Sequence, residues 1–324
     1  MQAGRFANAT PPPIVFNTVN IQPEPISLEP FPLASEPREP SLLTPAAILE
    51  DLIAEADRRH LAKTEGRPFG PVPPFPLLTR EYGGSLPSGL HIVMGGPGIG
   101  KTALALQIAA ECQCPALYIT CEMRPAELLR RMAARTSGTF LGKFKDGSLS
   151  GAKVRELALE AARLSPDLAF ADGTLAYVSP AWILDRVPIV KKQSPHLLIV
   201  VDSLHSWAES APGETDEYNL ISATCRTLRE IAMRLDCPIL AISERNRASF
   251  SKNASKDKLQ AGAGSRKLEY LAESALSLER DEDAMESPQN ETPVTVTLAK
   301  NRNGAQGQQI KLLFNGALQK YREA

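Results

Sequence analysis

The chain has 324 residues, 43% of them hydrophobic and 23% charged. That balance suits a soluble globular protein with room for one large domain or two small ones. A formal net charge of −1 excludes a global field that draws in polyanions, so any nucleic-acid contact must come from a local patch. The opening residues hold no apolar signal region and no apolar run approaches about 18 residues, which predicts a cytoplasmic protein without membrane contact. Five cysteines, Cys112, Cys114, Cys121, Cys225 and Cys237, lack zinc spacing and read as reduced, partly buried thiols.

Ten of the 27 prolines fall within residues 1–45. Stretches such as Gln22-Pro23-Glu24-Pro25 hold neither a helix nor a central strand, so residues 1–43 are expected to form a Pro-rich disordered arm. The arm is either a solvated tail or a tail that binds a protein partner. Thr44-Pro45 then has the form of an N-cap and first helical residue. Ile48, Leu49, Leu52, Ile53 and Ala56 follow at helical spacing, giving a linker helix within residues 44–66. Pro-rich links flank it, so its apolar face packs either on its own domain or on a neighbouring subunit.

From residue 67 to 324 short apolar runs alternate with helical segments, the pattern of a mostly parallel α/β sheet flanked by helices. Strands are expected at Leu90–Met94, Ala116–Thr120, Leu197–Val201 and Ile239–Ser243. Ala275–Glu279, Val294–Ala299 and Ile310–Phe314 leave little room for helices between them, which predicts an antiparallel C-terminal edge. Helices are expected at Pro125–Arg135, Ala152–Leu164 and Glu217–Leu235, and a segment Trp182–Lys192 is interrupted or shortened by Pro188.

Between the first strand and the alanine-rich helix after it lies Gly95-Gly96-Pro97-Gly98-Ile99-Gly100-Lys101-Thr102. This is the spacing of a phosphate-binding P-loop. Glycines let backbone N–H groups converge on a phosphate, and the new helix adds its free N–H groups at the same point. Lys101 can reach the β- and γ-phosphates, and the Thr102 hydroxyl can ligate Mg²⁺. A nucleoside triphosphate, ATP with Mg²⁺, is the expected ligand. Leu197-Leu198-Ile199-Val200-Val201-Asp202 describes a buried strand with a carboxylate at its end, where α/β sheets place ligands, so Asp202 suits the second metal-holding position. Glu122 ends the strand before Met123 and can supply the base or water-orienting group that hydrolysis needs.

The run Leu117-Tyr118-Ile119-Thr120-Cys121-Glu122-Met123-Arg124-Pro125 resembles a signature segment of the DnaB-type replicative helicases. Lys300-Asn301-Arg302-Asn303-Gly304, with Gly307 and Lys311-Leu312-Leu313-Phe314 after it, resembles that family's KNRNG block. Leu268-Glu269 with Ala272-Glu273 resembles a third block, and all occur in family order across about residues 69–321. The resemblance implies a RecA-like motor domain, with the Pro-rich arm standing where the family carries an N-terminal helical domain. It implies Glu122 as the catalytic glutamate. It further implies Lys300 and Arg302 as finger residues that reach the ATP site of an adjacent subunit, in a homo-oligomeric ring, a hexamer. A Lys and an Arg two apart on a strand end do project on the same side.

Two features bear on coupling to DNA. Where the family has Ser-Gln-Leu-x-Arg, this chain reads Ser243-Glu244-Arg245-Asn246-Arg247, a carboxylate in place of an amide donor beside the triphosphate. Next comes a Ser/Gly/Ala/Lys-rich stretch with Arg247, Lys252, Lys256, Lys258, Arg266 and Lys267. It reads either as a solvated loop or as a channel loop that grips single-stranded DNA. The reading that follows is an ATP-hydrolysing DnaB-type motor on single-stranded DNA. The alternative is a RadA-like or KaiC-like ATPase of a plasmid, phage or mobile element that remodels a nucleoprotein complex. A small-molecule kinase fits less well, since no lid-like Arg cluster follows the P-loop helix.

Overall fold

The structure, a computed structural model, describes residues 42–211, 217–244, 270–281 and 290–324. Most of the arm, the basic stretch 245–269 with all six of its expected DNA-contacting residues, and Leu268-Glu269 lie outside the described residues. In chain order the helices are α1 (Leu49–Thr64), α2 (Pro76–Glu81), α3 (Lys101–Glu111), α4 (Pro125–Ser137), α5 (Gly151–Leu164), α6 (Pro180–Lys191), α7 (Leu204–Glu209) and α8 (Glu217–Leu235). The strands are β1 (Gly89–Gly95), β2 (Ala116–Thr120), β3 (Leu168–Asp172), β4 (Leu198–Asp202), β5 (Pro238–Glu244), β6 (Ser274–Arg280), β7 (Glu291–Asn301), β8 (Gln309–Asn315) and β9 (Lys320–Glu323).

They form one nine-stranded sheet in the order β3-β2-β4-β5-β1-β6-β7-β8-β9. The first six positions pair in parallel and the last three strands run antiparallel, the α/β fold with an antiparallel C-terminal edge that the sequence predicts. Of the late strands, β6 is itself parallel to β1 and only β7 onward reverses. The crossover from β5 to β6 passes through residues outside the described set.

The continuous apolar runs are explained by burial on both faces. Val93, Tyr118, Leu198, Val200 and Leu240 pack on one side with α3, α4 and α5. Their neighbours Ile92, Leu117, Ile199, Val201 and Ile239 pack on the other with α6, α7 and α8. This period-two alternation is what a strand with two covered faces requires.

Several boundaries differ from expectation. α1 begins at Leu49, and Thr44 instead closes a preceding turn, its Oγ1 accepting from the Ala47 N–H at 3.3 Å. The apolar stripe of α1 stays exposed: Ile48, Leu49, Leu52 and Ile53 are 44–64% accessible, while Ala62 is buried. α6 runs unbroken through Pro188, started by Pro180 at its first turn and by Ser179, whose hydroxyl accepts from the Trp182 N–H at 3.2 Å. Among the described residues, no helix is long and apolar enough to cross a membrane.

Candidate functional site

Parallel strands end together, so their last residues share one edge of the sheet. Register places Gly95 opposite Glu244, and Thr120 opposite Asp202. The P-loop rises from that edge at Gly95 and enters α3 at Lys101, with Gly98 and Gly100 in the left-handed region at φ 72° and 100°.

Gly100 is required twice over. A Cβ there would lie 2.6 Å from the Tyr321 hydroxyl and 2.9 Å from the Phe314 ring. These two rings stack at 4.5 Å, and Tyr321 donates its hydroxyl hydrogen to the Ile99 carbonyl at 2.8 Å. Gln107 of α3 both donates to and accepts from the Tyr321 backbone, at 3.1 and 2.9 Å. The β8–β9 hairpin thus braces the phosphate loop and its helix from beneath.

A cleft of about 400 Å³ opens above the loop, lined by Lys101, Thr102, Glu122, Asp202, Ser203 and Glu244 among others. Lys101, 7% exposed, donates to the Gly95 and Gly96 carbonyls at 3.0 Å each and stands 3.9 Å from Glu244. Burial lowers its pKa, while the carboxylates of Glu244, Asp202 and Glu122 act in the opposite sense. Asp202 is 3% exposed, and burial pushes its carboxyl up. Hydrogen bonds from Tyr118 and Thr102 hold the charged form against that push.

Glu122 follows β2 into the same cleft. Its Oε1 accepts from Ser203 Oγ at 2.5 Å and from Ser206 Oγ at 3.0 Å. Ser203 also caps α7, accepting from the Ser206 N–H, so one short helix orients the carboxylate. On the far wall Arg131 donates to Gln319 Oε1 at 2.6 Å, and Arg280 donates to the Gly98 carbonyl at 2.7 Å. Tyr118, Ser203, Ser206, Arg131, Arg280 and Gln319 were not singled out by sequence. Only the Ser-x-x-Ser spacing after Asp202, a helix-cap signal, could have drawn attention to one of them.

The structure therefore brings Lys101, Thr102, Asp202 and Glu122 together. It holds Lys300 and Arg302 apart from them. Asn301 pairs with Ser274, and Ser274 with His91, four residues before Gly95 along β1. The two cations sit at the opposite edge of the sheet from the cleft. Lys300 Nζ donates to the Tyr270 carbonyl at 2.9 Å, and Arg302 donates to Tyr270 O and Glu273 Oε1, each at 3.1 Å. Their shared partner confirms that both project to the same side. Neither reaches its own chain's P-loop.

A glycine loop opening a helix, a buried carboxylate at the next-but-one strand end and a second carboxylate beside it are the layout of a P-loop phosphate-binding site on a RecA-like fold. The chain belongs to the DnaB-like helicase C terminal domain family, whose profile matches residues 74–323. It is 28% identical over 295 residues to the replicative DNA helicase DnaB of Pasteurella multocida, covering 85% of this chain and 60% of that protein. With the DnaB helicase of Geobacillus stearothermophilus it shares 25% identity over 244 residues, 74% of this chain and 53% of the relative. The chain thus spans 60% of the first relative's length and about half of the second's. In fold it resembles the ATPase domain of G40P, with TM-score 0.70 and 21% identity over 87% of this chain and all of that one. A DnaB-like replicative helicase solved for its interactions with primase gives 0.66 at 21% identity, covering 85% and 70%. A KaiC-like protein from Pyrococcus horikoshii is more distant, at 0.51 and 18% identity.

Proposed function

We propose that this chain is an ATP-hydrolysing motor of the DnaB helicase type that acts on single-stranded DNA as a homo-oligomeric ring, a hexamer. One observation carries the reading. The cleft holds its own lysine, hydroxyl and two carboxylates, while the cations Lys300 and Arg302 stand at the other edge of the sheet. Cations so placed serve a neighbour's cleft, where they would stabilise charge developing on the transferred phosphoryl group.

Within the cleft, Lys101 exchanges its two loop carbonyls for phosphate oxygens, and the loop N–H groups cradle them. The Thr102 hydroxyl and the buried Asp202 carboxylate are adjacent hard oxygen donors, a set that fits Mg²⁺. Magnesium bound there supplies neutralisation of phosphate charge. Glu122, oriented by Ser203 and Ser206, accepts a proton from the attacking water. The apolar stripe of α1 supports a clasp role for the linker helix: Ile48, Leu49, Leu52 and Ile53 would be covered by the next subunit. The basic residues Arg247, Lys252, Lys256, Lys258, Arg266 and Lys267 would contact the DNA backbone, and the Pro-rich arm would take a protein partner.

Glu244 favours a second reading. A carboxylate 3.9 Å from Lys101 stands where the family relays γ-phosphate state through an amide. An ATPase so altered could remodel a nucleoprotein complex without unwinding DNA. ATPase rate measured across protein concentration, with and without single-stranded DNA, tests the reading. A specific activity that rises with concentration and with DNA is expected. A specific activity indifferent to both contradicts it.

A further inference from the structure

The turn between α3 and β2 carries chemistry that the nucleotide cleft does not use. α3 ends at Glu111, Cys112 forms its C-cap, and β2 starts at Ala116. Between them Gln113 adopts a left-handed conformation, φ 62°, which folds the chain back on itself. Two consequences follow. The Sγ atoms of Cys112 and Cys114 stand 3.6 Å apart, in thiol–thiol contact. Two residues of separation also keep their Cα atoms within about 7 Å, the outer limit for a bridge.

The pair differs from the other three cysteines. Cys121, Cys225 and Cys237 each have thiols pushed up to about 12, chiefly by burial. In the turn, the hydrogen bond from Cys114 lowers the pKa of Cys112, and that same bond, together with burial, raises the pKa of Cys114. Cys112 is buried, but Cys114 is half-exposed and lines a cleft of about 330 Å³ with Glu111, Gln113, Ser165 and Asp167. Among the described residues, no group of three or more metal-binding side chains includes the pair, so bond formation between the sulfurs is the chemistry available.

We propose that Cys112 and Cys114 form a thiol pair that closes reversibly to a disulfide by exchange with a low-molecular-weight disulfide. In the first step Cys114 gives its proton to solvent and its thiolate attacks one sulfur of the reagent. The reagent's S–S bond breaks, one thiolate leaves and takes up a proton, and a mixed disulfide remains on Cys114. Cys112 then gives up its proton, and its thiolate attacks the Cys114 sulfur and expels the second reagent thiolate, which takes up a proton in turn. The sulfurs close from 3.6 Å to about 2.05 Å. Two protein thiols are oxidised by two electrons, and one disulfide is reduced to two thiols. The joint so locked lies between the P-loop helix and β2, the strand that leads to Glu122, at the far edge of the sheet from the cleft.

The test uses the full chain with oxidised glutathione, read by intact mass, peptide mapping and iodoacetamide labelling. The wild type is expected to lose two hydrogen atoms of mass on the peptide that holds both residues, and to regain them with dithiothreitol. Cys112→Ser should stop at a glutathione adduct on Cys114. Cys114→Ser, at the more accessible position, should form neither adduct nor bridge, because Cys112 is buried. A wild type that keeps all five thiols, or that carries a stable adduct on Cys114, overturns the proposal. So does a two-hydrogen loss that survives either substitution.

Discussion

Tyr118 donates its hydroxyl hydrogen to Asp202 Oδ2 at 2.7 Å, from the strand next to the one that carries the carboxylate. Tyr118 is fully buried, and burial together with the Asp202 charge keeps its phenol protonated far above neutral pH. It is therefore a permanent donor. Burial of Asp202 works the other way and raises its carboxyl, so Tyr118 helps to keep ionised the group proposed to hold the metal.

Replacing the donor should show in the pH profile. Only the ionised Asp202 can ligate a cation, and burial already raises its pKa from the ordinary value. Tyr118→Phe raises it further, so the acidic limb of the ATPase profile moves to higher pH. A hydrogen bond to a charged group contributes about 1.5–3 kcal/mol, which corresponds to a shift of about one to two units. An acidic limb that stays in place would show that Asp202 is not the group titrating there.

Glu122→Gln should leave ATP binding intact and lower kcat roughly 10²-fold or more, the scale of losing a positioned base. Lys101→Ala should instead abolish tight ATP binding. Ser203→Ala removes the closer of the two hydroxyls on Glu122, and should lower kcat by about tenfold with little change in nucleotide affinity. Equilibrium binding of a fluorescent nucleotide beside steady-state turnover separates the three. Near-normal turnover in Glu122→Gln would place the catalytic carboxylate elsewhere.

Gly100→Ala tests the brace beneath the loop. The added methyl meets the Tyr321 hydroxyl and Phe314 ring, at a φ of 100° that L-residues avoid. Strain and overpacking together should cost about 2–4 kcal/mol. A lowered midpoint in thermal unfolding, with loss of nucleotide binding, is expected. An unchanged midpoint would mean that the β8–β9 hairpin does not hold the loop.

Salt dependence addresses the basic stretch. Replacing Lys252, Lys256, Lys258 and Lys267 by Ala should weaken single-strand binding and flatten its salt slope, because fewer counterions are released. Basal ATPase should survive. An unchanged slope would assign the stretch to a solvated loop.

How far the sequence could be read depended on whether local chemistry or tertiary contact decided each feature. The P-loop, Asp202 and seven of the nine strands rest on apolar runs and spacing, and they were legible within three residues of their ends. β3 was not, because Leu168-Ala-Phe-Ala-Asp is short and follows a helix directly. β9 was hidden too: Lys320-Tyr-Arg-Glu buries only Tyr321, the residue that braces Gly100. Glu122 could be named, but its clamp by Ser203 and Ser206 joins residues more than eighty apart. Thr44 read as a helix cap but caps only a turn, and Pro188 read as a breaker but is carried within α6. Propensity was overridden there by surroundings that sequence does not display.

In the proposed ring each ATP site is completed by a neighbour's Arg302. Arg302→Ala should leave assembly intact and cut activity, whereas deleting residues 1–66 should lower assembly and activity together. Mixing is the most direct measurement: Arg302→Ala subunits are combined with Lys101→Ala subunits, and ATPase is followed across the ratio. Each variant alone should be nearly inactive. In mixed rings some interfaces set an intact Lys101 against an intact Arg302, so activity should partly return and peak at intermediate ratios. No recovery in rings shown to contain both subunits would rule out a role for Arg302 at a neighbour's site.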